Sequence, residues 1–180
     1  MQELYFLTSN DDKLKEVEAI LGLPINKISL DLNEIQTLEV AEVVKDKAKR
    51  AFEQIKKPVF IEDTGLYITA LNGFPGALYK WVFKTIGNDG ICQMLLGKNR
   101  EAIAKTCVGL YDGQQMNLFM GEIRGTISEK PLGTFGFGWD PIFIPSGFDQ
   151  TFAELGLEIK NKVSMRRLAL SRLKEFLEQA

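Results

Sequence analysis

Short apolar runs alternate with amphipathic stretches through the first third of the chain, and this alternation most narrowly limits the fold. The aromatic-rich run at 3–7 predicts a buried strand. Apolar residues at helical spacing follow over 14–21, after Asn10, a good helix cap, and before Gly22, a residue type that commonly ends helices. A strand, a polar break and a helix therefore open the chain, an order typical of helices layered on a sheet.

The rest of the sequence continues this alternation. Further strands are predicted at 26–30, 58–61, 102–111, 116–127 and 141–144, and helices at 40–55, in one or two pieces between 77 and 96, and at 163–177. Helices between strands, together with one long antiparallel hairpin, predict an α/β fold in which helices flank a mixed sheet. No repeat or linker divides the chain, so we expect one domain over residues 1–180.

The charge balance excludes one class of partner. The 180 residues carry 22 lysines and arginines against 24 acids, a net charge of −2. A nucleic-acid polymer requires a basic face that matches many phosphates, so we expect no such partner, whereas a few local lysines suffice for a small phosphorylated ligand. No apolar run resembles a signal peptide or a membrane span, so we expect a cytoplasmic protein with no membrane partner.

The chain contains no histidine. Catalysis by a histidine general base, by a serine–histidine–aspartate triad or by a histidine-ligated metal is therefore excluded. Cys92 and Cys107 match no metal-ligand spacing, so we expect them as buried, reduced thiols. Any chemistry must come from carboxylates, lysines, arginines, hydroxyls or a hard metal ion.

The first polar break is a candidate phosphate site. Thr8, Ser9 and Asn10 follow the first predicted strand and lead into the first helix, with Lys13 one turn further on. A helix N-terminus offers free backbone N–H groups and a positive dipole end, and both suit phosphate. An ordinary capped helix has the same pattern, and the acids at 11–12 favour that simpler interpretation.

The acids Glu62 and Asp63 lead a polar segment at 62–65, which we place at the carboxyl end of the third predicted strand. Open α/β sheets bind their ligands at that end. Two adjacent acids there need a partner or a cation, and magnesium binds one or two carboxylates together with phosphate oxygens. Asp63 with an acid from elsewhere is thus a candidate magnesium site, and a turn with solvated acids is the alternative.

Two further sets contain candidate binding residues. The basic set is Lys47, Lys80, Lys160, Arg166 and Arg167. Lys47 lies beside the apolar stripe of its helix and can reach into a cleft, although lysines in such places are usually solvated.

The glycine-rich loop at 133–140 carries three aromatic residues and ends in Asp140. Such a loop can stack a base and offer an acid to its edge, or it can pack as a hydrophobic plug.

Five short motifs complete the pattern. They are TSNDDK at 8–13, EDTG at 62–65, GFPG at 73–76, FGWDP at 137–141 and KNKVSMR at 160–166. In this order and spacing the chain resembles the inosine triphosphate pyrophosphatase family. The resemblance implies an elongated fold with a twisted mixed sheet, and a nucleotide in the cleft between two lobes. It also implies a homodimer that hydrolyses deaminated purine nucleoside triphosphates (ITP, dITP, XTP) to the monophosphate and pyrophosphate with Mg²⁺, which cleans the nucleotide pool.

The same resemblance implies roles for individual residues. Asp63 looks like the family's essential acid, a metal-binding residue assigned as the proton acceptor, and Glu34 resembles its second magnesium carboxylate. Residues 137–140 resemble the base-binding loop, in which Phe137 stacks on the base and Asp140 hydrogen-bonds its edge. The remaining substrate-binding residues that it implies are Thr8, Ser9, Asn10, Asp11, Asp12, Lys13, Lys47, Thr64, Lys80, Gly138, Trp139, Lys160, Met165 and Arg166.

The reaction expected from this resemblance is attack of water on the α-phosphorus, with pyrophosphate as the leaving group. Lys13, Lys47 and the first helix N-terminus would hold the β- and γ-phosphates. Either Asp63 or the metal ion activates the water, and both accounts fit the residues equally well.

Met165 departs from the family's pattern, because it stands where the family has a histidine. Arg166 remains, and an arginine can donate to the O6 and N1 edge of a deaminated purine but finds no match in the amino group of adenine. Methionine offers polarisable packing instead of a hydrogen bond. A pyrophosphatase with a broader or pyrimidine base preference is therefore one alternative. A non-catalytic nucleotide-binding module is another, which the paired acids Glu34 and Asp63 disfavour.

Overall fold

The computed structural model describes residues 5–22 and 24–179. Its strands are β1 (Tyr5–Leu7), β2 (Asn26–Ile28), β3 (Val59–Ile68), β4 (Pro75–Gly76), β5 (Glu101–Tyr111), β6 (Met116–Ile127) and β7 (Phe143–Pro145). Its helices are α1 (Asp11–Leu21), α2 (Val40–Ile55), α3 (Tyr79–Met94), α4 (Phe152–Val163) and α5 (Met165–Gln179), with a short 3-10 turn at Thr69–Leu71.

One mixed sheet joins all the described strands. Its order is β2–β1–β3–β5–β6–β7, and β4 pairs with β3 beside this path. β1 is parallel to both of its neighbours, whereas every other pair is antiparallel. The predicted α/β fold with helices flanking a mixed sheet is confirmed.

The two faces of the sheet carry different helices. Phe6 and Phe60 stack with ring centroids 4.6 Å apart and belong to the core that α1 and α5 complete. Leu7 and Ile61, one residue further along each strand, pack instead with Ala48 of α2. Because successive side chains of a strand point to opposite faces, each step along β3 changes the helix that a side chain meets.

β3 corrects one prediction, since the segment at 62–65 continues the strand and does not follow it as a turn. β5 pairs with β3 along its full length, from Val59 to Ile68, so the backbone of the polar segment has hydrogen-bond partners within the sheet. On the other edge, β1 pairs only as far as Ile61 and β4 begins at Leu66. Between them the edge of β3 lies open, and this opening positions the functional site.

The C-terminal part of the chain corrects a second prediction. The helix expected at 163–177 begins at Met165, after Ser164 in extended conformation, and an unpredicted helix, α4, precedes it. Thr151 caps α4 with a capping box, in which its side chain accepts a hydrogen bond from the backbone N–H of Glu154 and the Glu154 carboxylate accepts one from the backbone N–H of Thr151. The strand expected at 141–144 lies at Phe143–Pro145.

Several local predictions are confirmed. The side chain of Asn10 accepts hydrogen bonds from two backbone N–H groups of α1, and Gly22 ends that helix at a φ of 75°. Cys92 and Cys107 are buried, free thiols. Residues 3 and 4 of the first predicted strand lie outside the described residues. Among the described helices, none has the length and apolar character needed to cross a bilayer.

Gly121 determines how closely α5 approaches the sheet. A Cβ atom at this position on β6 would lie 2.0 Å from the carbonyl oxygen of Met165 and 2.7 Å from the backbone nitrogen of Ala169. The first turn of α5 therefore rests directly on the strand backbone. This contact fixes the position of Met165 and of the residue that follows it, Arg166.

We expect Gly121→Ala to lower the free energy of unfolding by about 1–3 kcal/mol, because the added methyl group forces α5 away from β6. Chemical denaturation measures the change. Glu122→Ala is the matched control, since the neighbouring Glu122 side chain is 59% exposed and its loss should change stability by less than about 0.5 kcal/mol. Equal stability of the two variants would contradict the close approach of α5.

Candidate active site

A cleft with a volume of about 390 Å³ lies at the open edge of β3. All but two of the residues predicted from the sequence for the site line it. They are Thr8, Ser9, Asn10, Lys13, Glu34, Lys47, Asp63, Thr64, Lys80, Phe137, Gly138, Trp139, Asp140, Lys160, Met165 and Arg166. The structure thus brings together residues from both ends of the chain around one strand edge.

Asp11 and Asp12 do not line the cleft, although both were predicted as binding residues. Asp11 forms an ion pair with Lys27 of β2, and Asp12 lies 3.6 Å from Lys15 within α1. Both acids are exposed. The N-terminus of α1 therefore faces the cleft through Asn10 and its neighbours, without an acid that would repel a phosphate. Arg167, from the predicted basic set, also lies outside and donates to the carbonyl of Ile20.

Glu62 and Asp63 are neighbours in sequence and point to opposite faces of the sheet. Glu62 is buried on the face of α1 and α5, where it lies 3.1 Å from Arg166 and 3.3 Å from Lys13. Asp63 follows Ile61 on the face of α2, which also carries Lys47. The strand thus directs the two acids to opposite faces and divides the cleft into two halves, while the charge on Glu62 still contributes to raising the pKa of Asp63.

The α2 half contains the acids Glu34 and Asp63. Burial raises the pKa of the Asp63 carboxyl to about 6, against the opposing effect of Lys13 and Lys47. Burial also acts to raise the pKa of Glu34, but the 2.6 Å hydrogen bond from Lys47 and the charges of Lys47, Lys80 and Lys13 together outweigh it and lower the pKa of that carboxyl. One acid of the pair is therefore a strong anion and the other holds its proton more tightly than an ordinary aspartate.

Tyr67 holds the segment that carries Glu34. Its hydroxyl donates to the carbonyl of Leu38 at 2.8 Å and accepts from the backbone N–H of Val40 at 3.2 Å. The backbone of Ala77 donates to the same carbonyl at 2.9 Å. The loop before α2 is thereby attached to β3 and to the residues after β4, which fixes one end of the segment from which Glu34 reaches the cleft.

The carboxylates of Glu34 and Asp63 fit a hard divalent cation. Both line the cleft, and the charge on Glu34 contributes to the raised pKa of Asp63, so a cation between them would relieve their repulsion. Within the described residues, no cluster of three or more acids, cysteines and histidines is present. Such an ion would complete its coordination with water and with phosphate oxygens of a ligand, as small hard cations do.

The α1/α5 half is a row of buried charges of alternating sign. In order, the row is Asp140, Lys160, Glu16, Arg166 and Glu62. Lys160 lies 2.6 Å from Asp140 and 2.7 Å from Glu16, and Arg166 donates to both Glu16 and Glu62. Each charge has an opposite charge on its flanks, which offsets the large cost of removing it from water.

Two buried donors in this half have no acceptor among the described residues. They are Nε of Arg166 and Nε1 of Trp139, and both side chains line the cleft. The ring of Phe137 lies over the two cations, 4.5 Å from Nζ of Lys160 and 5.5 Å from the guanidinium carbon of Arg166. Unpaired donors beside an aromatic ring suit a flat ligand that carries acceptors on one edge.

Asp140 is already engaged within the protein. Its Oδ2 atom accepts from the backbone N–H of Phe137 at 2.8 Å and from Lys160 at 2.6 Å. Burial raises the pKa of this carboxyl, and Lys160 opposes the shift. Asp140 therefore fixes both the loop and the lysine.

Two residues of this half escaped the sequence-based prediction. Glu16 lies on the same helical face as Val17 and Ile20, and an acid on an otherwise apolar stripe was the available signal. Glu62 was named only as part of a polar segment, because nothing in the sequence shows that its partner is Arg166. Each of these two acids lies between cationic side chains and fixes the position of those cations.

Comparison with known proteins places the chain beside nucleotide pyrophosphatases. The model of the Ham1 family matches residues 4–176. The chain is 45% identical to a dITP/XTP pyrophosphatase of Methanopyrus kandleri, with 97% of this chain and 95% of that one covered. It is 42% identical to an inosine triphosphate pyrophosphatase of Tuber melanosporum, with 98% and 97% covered. A Ham1 protein structure from Coxiella burnetii superposes over the full length of both chains with a TM-score of 0.87 at 28% identity.

The raised pKa of Asp63 predicts how stability depends on pH in the metal-free protein. Between its ordinary pKa of 3.8 and about 6, the folded state keeps the proton that the unfolded state has lost. The group therefore destabilises the fold increasingly as pH rises through this window, and fully above it. Asp63→Asn should gain stability over the unsubstituted protein across the same window, by at most about 3 kcal/mol.

Denaturant titration at several pH values measures this gain. Saturating divalent cation supplies the compensating charge, so it should reduce or reverse the gain at neutral pH. A difference between the two proteins that does not vary with pH would contradict the raised pKa.

Proposed function

The chain belongs to the Ham1 family, and on that premise we propose that it hydrolyses deaminated purine nucleoside triphosphates (ITP, dITP and XTP) to the monophosphate and pyrophosphate. The main observation in support of this activity is that β3 divides the cleft into two chemically different halves. Acids and lysines suited to a metal and a triphosphate lie on one face, and buried donors suited to a purine edge lie on the other. The names of relatives more than 40% identical over nearly the whole chain support the same activity.

In this proposal the triphosphate lies along the α2 half of the cleft. The positive dipole end of α1, with Lys13 and Lys47, binds its oxygens. Glu34 and Asp63 would hold Mg²⁺, which would neutralise the charge that develops on the leaving pyrophosphate. Lys47, which donates to Glu34 in the ligand-free protein, would then donate to the phosphates instead.

Asp63 accepts the proton of the attacking water. In the metal-free protein the pKa of this carboxyl is about 6, above that of an ordinary aspartate, and the group is still ionised at neutral pH, as a proton acceptor must be. Its place on β3 is fixed, because Cys107 pairs with it across the sheet. The water attacks the α-phosphorus, and the bond to the β-phosphate oxygen breaks.

The purine lies in the α1/α5 half. Glu16 and Glu62 hold Arg166 in one orientation, which leaves its Nε hydrogen free for an acceptor of the ligand. The O6 carbonyl of hypoxanthine or xanthine is such an acceptor. An amino group at the same position would leave a buried donor unpaired, a penalty that gives strong discrimination. Phe137 moves from the two cations to stack on the base.

Pyrophosphate release across ITP, XTP, GTP, ATP and UTP, with and without Mg²⁺, tests the proposal. We expect the deaminated purines to be preferred and the reaction to require the metal. Asp63→Asn should lower turnover roughly a thousandfold and largely spare nucleotide binding, whereas Asp31→Asn, at an exposed acid outside the cleft, should not. Equal rates on all five nucleotides would refute the base preference, and unchanged turnover in Asp63→Asn would refute its role.

Met165 tests the alternative of a broader base preference. It is 2% exposed, lines the cleft and offers the base no strong hydrogen bond. Met165→His adds a donor there, so we expect the ratio of kcat/KM for ITP over UTP to rise about tenfold. Met165→Leu is the control, because it keeps an apolar side chain of similar volume and adds no donor. If both variants change the ratio equally, position 165 does not set base preference.

We also propose a homodimer, acting in the cytoplasm without a nucleic-acid partner. The family resemblance carries this proposal, and an exposed apolar face on α3 supports it, with Trp81, Ile86 and Met94 exposed by 51%, 41% and 38%. Light scattering should give the mass of two chains, and Ile86→Lys should shift it to that of one. A monomer before substitution would refute the dimer, and an unchanged dimer in the variant would place its interface elsewhere.

A further inference from the structure

Asn88 contacts the base-binding loop at 137–140 and does not line the cleft. Gly87 interrupts α3 at a φ of 66° and a ψ of −175°, and Asn88 begins the second segment of that helix. The residue is 9% exposed. A polar side chain at such a site needs partners within the protein, and Asn88 has two.

The two hydrogen bonds of Asn88 join α3 to the loop. The hydroxyl of Tyr79 donates to its Oδ1 atom at 2.7 Å, and its Nδ2 atom donates to the carbonyl of Gly138 at 2.9 Å. The opposite amide orientation would set two oxygens against each other at Gly138, so the bond fixes the orientation. Burial raises the pKa of Tyr79, which keeps its hydroxyl protonated as a donor.

Gly138 connects the two aromatic residues of the loop that line the cleft. It lies between Phe137 and Trp139, at a φ of 63° that disfavours any residue with a side chain. The Trp139 ring meets Tyr79 edge-on at 4.7 Å and 88°. The hydrogen bond from Asn88 therefore holds the peptide that orients both aromatic rings, while Asp140 fixes the loop from the opposite side.

We propose that Asn88 is a positioning residue for base recognition. By holding the carbonyl of Gly138 and the hydroxyl of Tyr79 together, it keeps the loop in the conformation that presents Phe137 and Trp139 to the purine. This inference rests on the proposed function, which places the purine at that loop. Glu34 and Asp63 lie on the other face of β3, so loss of Asn88 should weaken base binding and discrimination more than the chemical step.

The test compares Asn88→Ala and Asn88→Asp with Gln93→Ala, a control at an exposed position of the same helix. Asn88→Asp keeps the volume and the acceptor for Tyr79 and loses the donor to Gly138, so it separates the loop contact from packing. For both Asn88 variants we expect KM for ITP to rise about tenfold and the preference for ITP over ATP to fall about tenfold, with kcat within about twofold.

Hydrogen exchange of the nucleotide-free proteins is the second measurement. Amides at 136–140 should exchange about tenfold faster in both Asn88 variants, and those of β3 should not change. An Asn88 variant with unchanged KM and loop exchange would overturn the proposal, and so would an equal loss of kcat for ITP and ATP at constant KM. If the unsubstituted protein shows no preference for ITP, the proposed function and this inference are both overturned. That measurement is made before any variant, so it distinguishes this failure from a failure of the Asn88 proposal alone.

Discussion

Successive side chains of a strand point to opposite faces, and at Glu62 and Asp63 this rule places two acids back to back in one sheet. The arrangement works only because β3 continues through the polar segment with β5 as its partner, while its other edge lies open between β1 and β4. A turn at this point would have brought the acids into one solvated cluster. The extended backbone instead gives the acids different neighbours, Arg166 for Glu62 and Lys47 for Asp63, although Lys13 acts on both.

Burying the row of charges costs desolvation free energy, and in return the charged side chains are held in fixed orientations. Lys160 and Arg166 are 2% and 1% exposed, so their removal from water is offset only by close contacts with Asp140, Glu16 and Glu62. Those contacts occupy most of the donors and leave Nε of Arg166 for a ligand. Donors held in this way cannot turn to match a different base edge, which is how a buried site rejects the wrong substrate.

The elements around the cleft are joined to each other at a few defined points. Gly121 lets α5 rest on β6, Tyr67 attaches the loop of Glu34 to β3, and Asn88 attaches α3 to the base-binding loop. None of these three residues is charged, and none lines the cleft. The geometry of the site therefore depends on backbone contacts and neutral hydrogen bonds that do not touch the ligand themselves. These contacts hold the charged residues in position.

The sequence by itself determined the alternation of strands and helices, the cap at Asn10, the absence of histidine chemistry and, through five ordered motifs, most of the residues that line the cleft. These signals are local, since periodicity, caps and motifs are set by residues a few positions apart. Only the tertiary structure decided that residues 62–65 remain in a strand, that Glu16 lies between Lys160 and Arg166, and that Asn88 reaches Gly138. Glu16 is 144 and 150 positions from its two partners and Asn88 is 50 from Gly138, so these contacts exist only once the sheet has brought distant segments together.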